Sequence, residues 1–191
     1  MNENIIIIDA DYADRVAFDL TVNFERMLER QIPKADTARL MEYLALDSGM
    51  RQGDHHFTVV LIHDKENSEM KCFAPGRFAD ELEGRAFSGN LGEFCFNTTS
   101  GEGFAEKSEV LIDTLQLALQ QKEVKRILIV AAEDYYQQVR QALNKADDDK
   151  RITVFTMQPS FGGRFQQELL GYSLMAALGI SGEEVEKKLR K

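Results

Sequence analysis

The segment Ile5-Ile6-Ile7-Ile8-Asp9-Ala10-Asp11 sets the architecture that this sequence predicts. Four consecutive β-branched apolar residues have no polar face, so the run predicts a strand buried on both sides, as at the centre of a parallel sheet. It stops at Asp9 and Asp11. Open α/β folds bind ligands at the carboxyl ends of their strands, which makes both carboxylates candidate site residues. In the alternative interpretation, Asp11 caps a helix that starts near Asp14, and Asp9 binds loop amides.

Composition limits the classes of protein to consider. A chain of 191 residues with 43% hydrophobic content is long enough for one well-packed domain. The net charge of −9 argues against broad affinity for phosphate backbones. Cys72 and Cys95 fit neither a disulfide framework nor a zinc pattern. The first residues lack the basic region of a signal peptide, and no apolar run reaches the ~18 to 20 residues of a membrane span. We therefore expect a soluble cytoplasmic protein without a membrane partner.

Four more apolar runs predict strands, at Phe57–Ile62, Glu93–Phe96, Arg126–Ala132 and Ile152–Phe155. Helical spacing predicts helices between and after them, at about 14–30, 36–47, 76–85, 105–121, 135–143 and 164–178, with a short terminal helix after Ser181. Such alternation predicts a three-layer α/β/α fold of Rossmann-like type with a mainly parallel sheet. We expect one domain over residues 1–191, with a helical extension at about 162–191.

Parallel strands share a direction, so the polar residues that follow them should meet at one edge of the sheet. Those residues are Asp9 and Asp11, His63 and Asp64, Asn97 to Thr99, and Glu133 and Asp134. The helix over 105–121 starts at the same edge and brings Glu109 and Asp113. An acidic cluster built from four separate elements is hard to stabilise without a cation. Carboxylate oxygens suit Mg²⁺ or Mn²⁺, and two such ions can activate water for phosphodiester cleavage.

Each acidic pair also has a purely structural interpretation. Asp113 should lie near the edge of its helix's buried face, and it shares one side of that helix with Glu109. A salt bridge to a lysine or arginine of a neighbouring element would then satisfy the pair. Glu133 and Asp134 precede a helix, whose dipole favours negative charge at its amino end. The sequence leaves both interpretations open.

The chain resembles the NYN branch of the PIN-like nuclease superfamily over roughly residues 4 to 157. Three segments carry the resemblance: Ile8-Asp9-Ala10-Asp11-Tyr12, the helix with Lys107, Glu109 and Asp113, and Ile127 to Tyr136. The resemblance implies a five-stranded parallel sheet of order 3-2-1-4-5 and RNA cleavage that depends on Mg²⁺ or Mn²⁺. Asp9 matches the family's first aspartate, and Asp113 matches the acid inside the central helix. Lys107 and Glu109 match the preceding lysine-and-acid pair if one residue is dropped.

The implied roles follow from these matches. Asp9, Asp113 and Glu133 would hold a cation directly and form the catalytic set, while Asp11, Glu109 or Asp134 would complete its shell. The candidate substrate contacts are Tyr12, Lys107, Asn97 and Thr98. Two motifs depart from the family pattern. Glu133 and Tyr135 stand in a motif that usually reads Ser-Gly-Asp-x-Asp-Phe, and Tyr12 stands where family members tend to have asparagine.

Other functions remain compatible with the sequence. The first is a catalytically inactive PIN-like module that binds RNA, a nucleotide or a protein partner, since a fold does not fix a function. It predicts that lysine or arginine side chains neutralise the acids. The second is a haloacid-dehalogenase-like phosphatase, because Asp9-Ala10-Asp11 resembles that family's opening Asp-x-Asp; Ala13 departs from it. The apolar Leu169–Leu178 segment could serve a homodimer as well as the core.

Overall fold

The computed structural model describes residues 1–101, 103–147, 149–159 and 162–190. Within these residues the strands are β1 (Asn4–Asp9), β2 (Ala35–Asp36), β3 (His55–Ile62), β4 (Phe73–Ala74), β5 (Ala86–Gly89), β6 (Gly92–Thr99), β7 (Arg126–Val130), β8 (Arg151–Thr156) and β9 (Gln166–Leu169). The α-helices are α1 (Ala10–Leu28), α2 (Thr37–Asp47), α3 (Lys107–Gln120), α4 (Tyr136–Leu143), α5 (Leu170–Ala177) and α6 (Gly182–Leu189). A π-helix spans Phe78–Leu82, and a 3-10 helix spans Glu133–Tyr135.

The main sheet has the strand order β5-β6-β3-β1-β7-β8-β9. Its neighbouring strands pair in parallel, except that β5 runs antiparallel to β6. The five strands that the sequence predicts are β1, β3, β6, β7 and β8, and they follow the order 3-2-1-4-5. The predicted α/β class with a mostly parallel sheet is therefore confirmed.

Strand β1 lies at the centre of the sheet, and helices cover both of its faces. All six of its residues are buried. Ile6 and Ile8 pack in a core cluster with residues of α1, α2 and α5, whereas Ile5 and Ile7 pack in a second cluster with residues of α3 and α4. Because successive strand side chains point to opposite faces, the isoleucine run supplies both cores at once. The three layers follow from this double burial.

The predicted count of five strands is wrong for the main sheet, which contains seven among the described residues. The two additional strands are β5 and β9, which occupy its opposite edges. Their sequences, Ala-Phe-Ser-Gly and Gln-Gln-Glu-Leu, are four residues long, and each has a single large apolar side chain. Neither has the apolar run or the clear alternation on which strand prediction depends. Edge strands bury little side-chain surface, which explains the missing signal.

The predicted extension over 162–191 contains two helices, α5 and α6, but its first part is not helical, because β9 lies there and pairs with β8. The helix expected from about Arg164 starts instead at Leu170. Leu170, Leu174 and Leu178 are fully buried in the core of this chain. The apolar side of the segment is therefore used within the domain. Lys191, the last residue of the predicted extension, lies outside the described residues, and a homodimer stays a prediction.

Two other helices differ from their predictions. Helix α1 starts at Ala10 rather than near Asp14, because Asp9 is its N-cap and the Asp9 Oδ1 atom accepts a hydrogen bond from Tyr12 N at 3.0 Å. The cap is therefore Asp9 and not Asp11. The weak helix expected over 76–85 is reduced to the five-residue π-helix Phe78–Leu82. In the described part of the chain, no helix has the length and apolar character needed to cross a bilayer.

Candidate functional site

Four elements bring charged side chains together at the carboxyl edge of the sheet. Strand β1 ends at Asp9, and α1 follows at once, which puts Asp11 in its first turn. Strand β3 pairs in parallel with β1, with Ile62 opposite Asp9, so Asp64 emerges beside the two acids. Helix α3 begins at Lys107 and arrives at the same edge. Parallel strand direction thus produces the expected convergence of these acids.

The ammonium group of Lys107 lies at the centre of this group. Lys107 Nζ is 3.0 Å from Asp11 Oδ2, 3.1 Å from Asp9 Oδ1 and 3.4 Å from Asp64 Oδ2. The side chain of Asp9 is fully buried, those of Lys107 and Asp11 are each 16% exposed, and that of Asp64 is 55% exposed. We call these four residues the Lys107 cluster. One cation therefore faces three carboxylates at the candidate site.

Further hydrogen bonds hold the two β1-end carboxylates in place. The hydroxyl of Tyr135 donates to Asp9 Oδ2, on the opposite oxygen from Lys107. Asn67 Nδ2 donates to Asp11 Oδ1 at 2.7 Å, and the backbone N–H of Asp64 donates to Asp11 Oδ2 at 2.6 Å. Both oxygens of Asp9 and both oxygens of Asp11 are therefore engaged by groups of the chain itself. Buried carboxylates are stable only with such partners.

The pKa directions agree with this geometry. Burial alone would lower the pKa of Lys107, but the carboxylates of Asp9 and Asp11 more than offset it and raise that pKa above its usual value. Burial would raise the pKa of Asp11, and hydrogen bonds from Asn67 and Lys107 reverse this and lower it. The pKa of Tyr135 is raised, first by burial and then by its bond to Asp9. At neutral pH the cluster therefore contains a protonated lysine and an ionised Asp11.

The candidate catalytic residues Asp113 and Glu133 lie elsewhere. Asp113 is exposed and lines a cleft of about 460 Å³ with Glu109 and Gln138. The buried residues of α3 include Leu111 and Leu115, and Asp113 lies two residues from each, about 200° around the helix. The expectation that Asp113 lies near the edge of the buried face is therefore wrong, while its shared side with Glu109 is confirmed.

Glu133 faces a different neighbour. Its Oε1 atom accepts a hydrogen bond from Tyr12 OH at 2.7 Å, beside a cleft that also contains Arg15. Burial, together with this bond, raises the pKa of Tyr12. Asp134 is exposed in the 3-10 helix. The structure therefore does not bring Asp9, Asp113 and Glu133 into one contact group.

The remaining candidates have local roles. Glu109 Oε2 accepts a hydrogen bond from the backbone N–H of Glu106 at 3.0 Å, a contact of the helix start. The backbone N–H and hydroxyl of Thr98 both donate to Glu83 Oε2, at 2.5 and 2.9 Å. Asn97 is exposed near the end of β6. These contacts satisfy helix and strand ends, and they leave the Lys107 cluster as the main charged group of the edge.

Two members of the site's surroundings were not assigned to it from the sequence, and two other residues have roles that were not predicted. It found Asp64 at the edge without assigning it to the site, and it overlooked Asn67, which lies in a charged loop with no periodic pattern. The sequence singled out Tyr135 as a departure from the family motif, and in the structure its hydroxyl donates to Asp9. Lys107 was expected to contact substrate, and it is the counter-ion of the acids. Its place in the first turn of α3 was the available signal, because that turn points at the edge.

An open cleft of about 530 Å³ adjoins the cluster. Its wall contains Lys107 and Tyr135 together with the loop residues that precede α3, of which Phe104 is fully exposed. Lys65 lies in the same wall and donates to the backbone carbonyl of Gly103. The cleft therefore combines two aromatic rings with both signs of charge.

The expected Mg²⁺ or Mn²⁺ ion requires carboxylate oxygens that are free to coordinate it. Here Lys107 Nζ stands where the oxygens of Asp9, Asp11 and Asp64 converge. Among the residues that the structure describes, no group of three or more histidine, cysteine, aspartate or glutamate side chains is arranged to hold a metal. These residues do not fit a divalent cation while Lys107 keeps this position, so a metal remains a proposal that requires Lys107 to move.

Comparison with known proteins places the chain in a family. The model of a family of unknown function, DUF6621, matches residues 1–185. The chain belongs to the DUF6621 family. The matched range includes the whole main sheet and the Lys107 cluster, so the site described above lies within the DUF6621 region. A search of curated proteins found no match to the chain.

Proposed function

We propose that this chain is a PIN-like module of the NYN type that binds a partner without cutting RNA. The observation that carries the proposal is the Lys107 ammonium, 3.0 to 3.4 Å from three carboxylates of the sheet edge. A protonated lysine supplies positive charge but has no open coordination position. It cannot lower the pKa of a bound water as a metal ion does. The strand order 3-2-1-4-5 supports the resemblance to the NYN branch.

The charge of the cleft indicates the kind of partner. Among the described residues of its wall, the acidic and basic side chains are three acids and two lysines: Asp64, Glu66, Glu106, Lys65 and Lys107. Asp9 and Asp11 lie directly behind Lys107, so the edge as a whole is negative. Such a field repels RNA phosphates and attracts a cationic group. The exposed ring of Phe104 and the ring of Tyr135 can contact a guanidinium or ammonium group by cation–π attraction. We therefore infer that the partner is a basic segment of a protein.

Calorimetry with Mn²⁺ and an RNA cleavage assay test the absence of metal-dependent cutting. Wild-type protein should neither bind Mn²⁺ at the edge nor cleave single-stranded RNA. Asp9→Asn removes a carboxylate that faces Lys107, and Asp113→Asn is the matched control on the exposed side of α3. The proposal would be contradicted if the wild type bound Mn²⁺ and cleaved RNA, and if both properties were lost in Asp9→Asn and kept in Asp113→Asn.

Fluorescence anisotropy tests the nature of the partner. A labelled oligoarginine peptide should bind wild-type protein, with an affinity that falls as salt rises. Phe104→Ala should weaken this binding, whereas Phe18→Ala, a change at another exposed phenylalanine on α1, should leave it unchanged. Tighter binding of oligouridylate than of the peptide, with dependence on Phe104, would assign the cleft to RNA instead.

One observation favours metal-dependent ribonuclease as a second candidate. Oxygens of Asp9, Asp11 and Asp64 converge on a single point, now taken by Lys107 Nζ. If the lysine swung out of this position, three carboxylates would be free for Mg²⁺ or Mn²⁺. This candidate predicts RNA cleavage by the wild type, which the assay above measures directly.

A further inference from the structure

Basic side chains gather at the amino edge of the sheet, on the opposite side from the Lys107 cluster. Strands β7 and β8 begin at Arg126 and Arg151, which are direct partners in the parallel ladder. A cleft of about 280 Å³ opens at this edge. The residues that line it are Glu3, Asn4, Met50, His55, Lys125, Arg126, Asp149 and Arg151. We call this the amino-edge cleft.

Among the residues that the structure describes, the two arginines of this cleft have no carboxylate partners. In the described part of the chain, no aspartate or glutamate forms a salt bridge with Arg126 or Arg151. Arg126 is partly buried, and its Nη1 atom donates to the backbone carbonyl of Ser48 at 3.0 Å. Burial lowers the pKa of Arg126, and the charge of Arg151 lowers it further. Like charges that face each other on paired strands destabilise a sheet.

The other charges of the cleft do not cancel this pair. Lys125 Nζ lies 3.4 Å from Asp149 Oδ2, so these two side chains neutralise each other. Glu3 is the other acid of the wall, and its backbone carbonyl accepts hydrogen bonds from the N–H groups of Lys125 and Arg126. Of the described side chains that line the cleft, two guanidinium groups and the carboxylate of Glu3 then remain, and His55 lies in the same wall. The cleft is locally positive in a chain whose net charge is −9.

We propose that the amino-edge cleft binds a phosphate group, free or as the monoester of a small molecule. A guanidinium offers five N–H donors in a planar fork that matches phosphate oxygens, and Arg126 uses one of them on Ser48. A phosphate dianion between the two guanidiniums would replace their repulsion with charge-assisted hydrogen bonds. The size of the cleft accommodates a phosphate and a small attached group. The site is independent of the function proposed for the opposite edge.

Thermal unfolding with inorganic phosphate tests the site. About 10 mM phosphate should raise the melting temperature of the wild type by about 3 °C relative to sodium chloride of equal ionic strength. In Arg151→Gln the rise should fall below about 1 °C, and Arg126→Gln should behave alike. Without phosphate, Arg151→Gln should melt no lower than the wild type, because the change relieves repulsion. Arg190→Gln, a change at an exposed arginine of the terminal segment, should respond as the wild type does.

Three probes separate the sources of the phosphate. A larger rise in melting temperature with adenosine monophosphate than with inorganic phosphate would assign the site to a nucleotide. Equal rises would assign it to the phosphate group alone. Both outcomes support the proposal. Wild-type protein that responds to neither probe would overturn it, as would an equal response in Arg151→Gln. Binding that depends on Arg151 but occurs solely with an oligouridylate lacking terminal phosphates would also overturn it, in favour of a nucleic-acid surface.

Discussion

Replacing Lys107 by methionine keeps much of the side chain's length and removes the positive charge that faces Asp9, Asp11 and Asp64. Breaking a buried ion pair by removing one partner costs about 3 to 5 kcal/mol, because it leaves a buried charge uncompensated. Asp9 is fully buried, while Asp64 is 55% exposed and partly screened by solvent. We therefore expect a loss at the lower end of this range, about 3 kcal/mol of unfolding free energy, or about 6 to 12 °C in melting temperature.

Urea denaturation followed by circular dichroism measures this loss. Lys125→Met is the matched control, because Lys125 and its partner Asp149 are 50% and 57% exposed. An exposed pair of this kind contributes less than about 1 kcal/mol. A loss in Lys107→Met no larger than that in Lys125→Met would show that Lys107 does not neutralise the buried acids.

The response of Lys107→Met to added Mn²⁺ provides a second, independent measurement. Without the ammonium group, the three carboxylates form an acidic site that can coordinate a divalent cation. Added Mn²⁺ should therefore stabilise Lys107→Met and recover part of the lost melting temperature, by mass action on the folded state. The wild type should show no such gain. Equal Mn²⁺ responses of the wild type and the variant would contradict this explanation.

The remaining predictions concern single groups. Tyr135→Phe removes a donor to the buried Asp9 and should cost about 1 to 3 kcal/mol in urea denaturation, whereas Tyr172→Phe, at an exposed position, should cost almost nothing. Because the pKa of Lys107 is raised in the folded protein, its stabilisation should be complete below its ordinary pKa of 10.5 and lost as pH rises through the higher folded value. The difference in unfolding free energy between the wild type and Lys107→Met should therefore stay constant from about pH 7 to about pH 10, and this gap should shrink above that. A gap that closes below pH 9 would contradict this. Burial and Asp14 raise the pKa of the Cys72 thiol to about 11, so its alkylation near pH 8, followed by mass spectrometry, should be roughly 100-fold slower than in urea. An equal rate in both conditions would show that the folded thiol is not perturbed.

Much of the fold could be predicted because it depends on strongly apolar segments. The isoleucine run of β1 has to be buried on both faces, and this requirement predicts a central parallel strand with helices in two layers. The positions of β5 and β9 could not be predicted in this way. None of their residues is fully buried at the sheet edges, so tertiary pairing and not local pattern creates these strands.

The candidate site could be predicted in position but not in chemistry. Parallel strand direction is sufficient to bring Asp9, Asp11 and Asp64 to one edge, and the sequence predicted that convergence. Which side chain of α3 enters the cluster depends on the rotation of the helix about its own axis. That rotation turns Lys107 inward and Asp113 outward. A change of one residue in helical phase moves a side chain by about 100°, which short motifs cannot resolve.

The position of Lys107 can be measured in a crystal of the wild type that is soaked in Mn²⁺ at neutral pH and recorded at an anomalous wavelength. We expect Lys107 Nζ within hydrogen-bond distance of Asp9 and Asp11, with no anomalous peak among the three carboxylates. A manganese peak bound by Asp9, Asp11 and Asp64, with Lys107 turned away, would contradict this expectation.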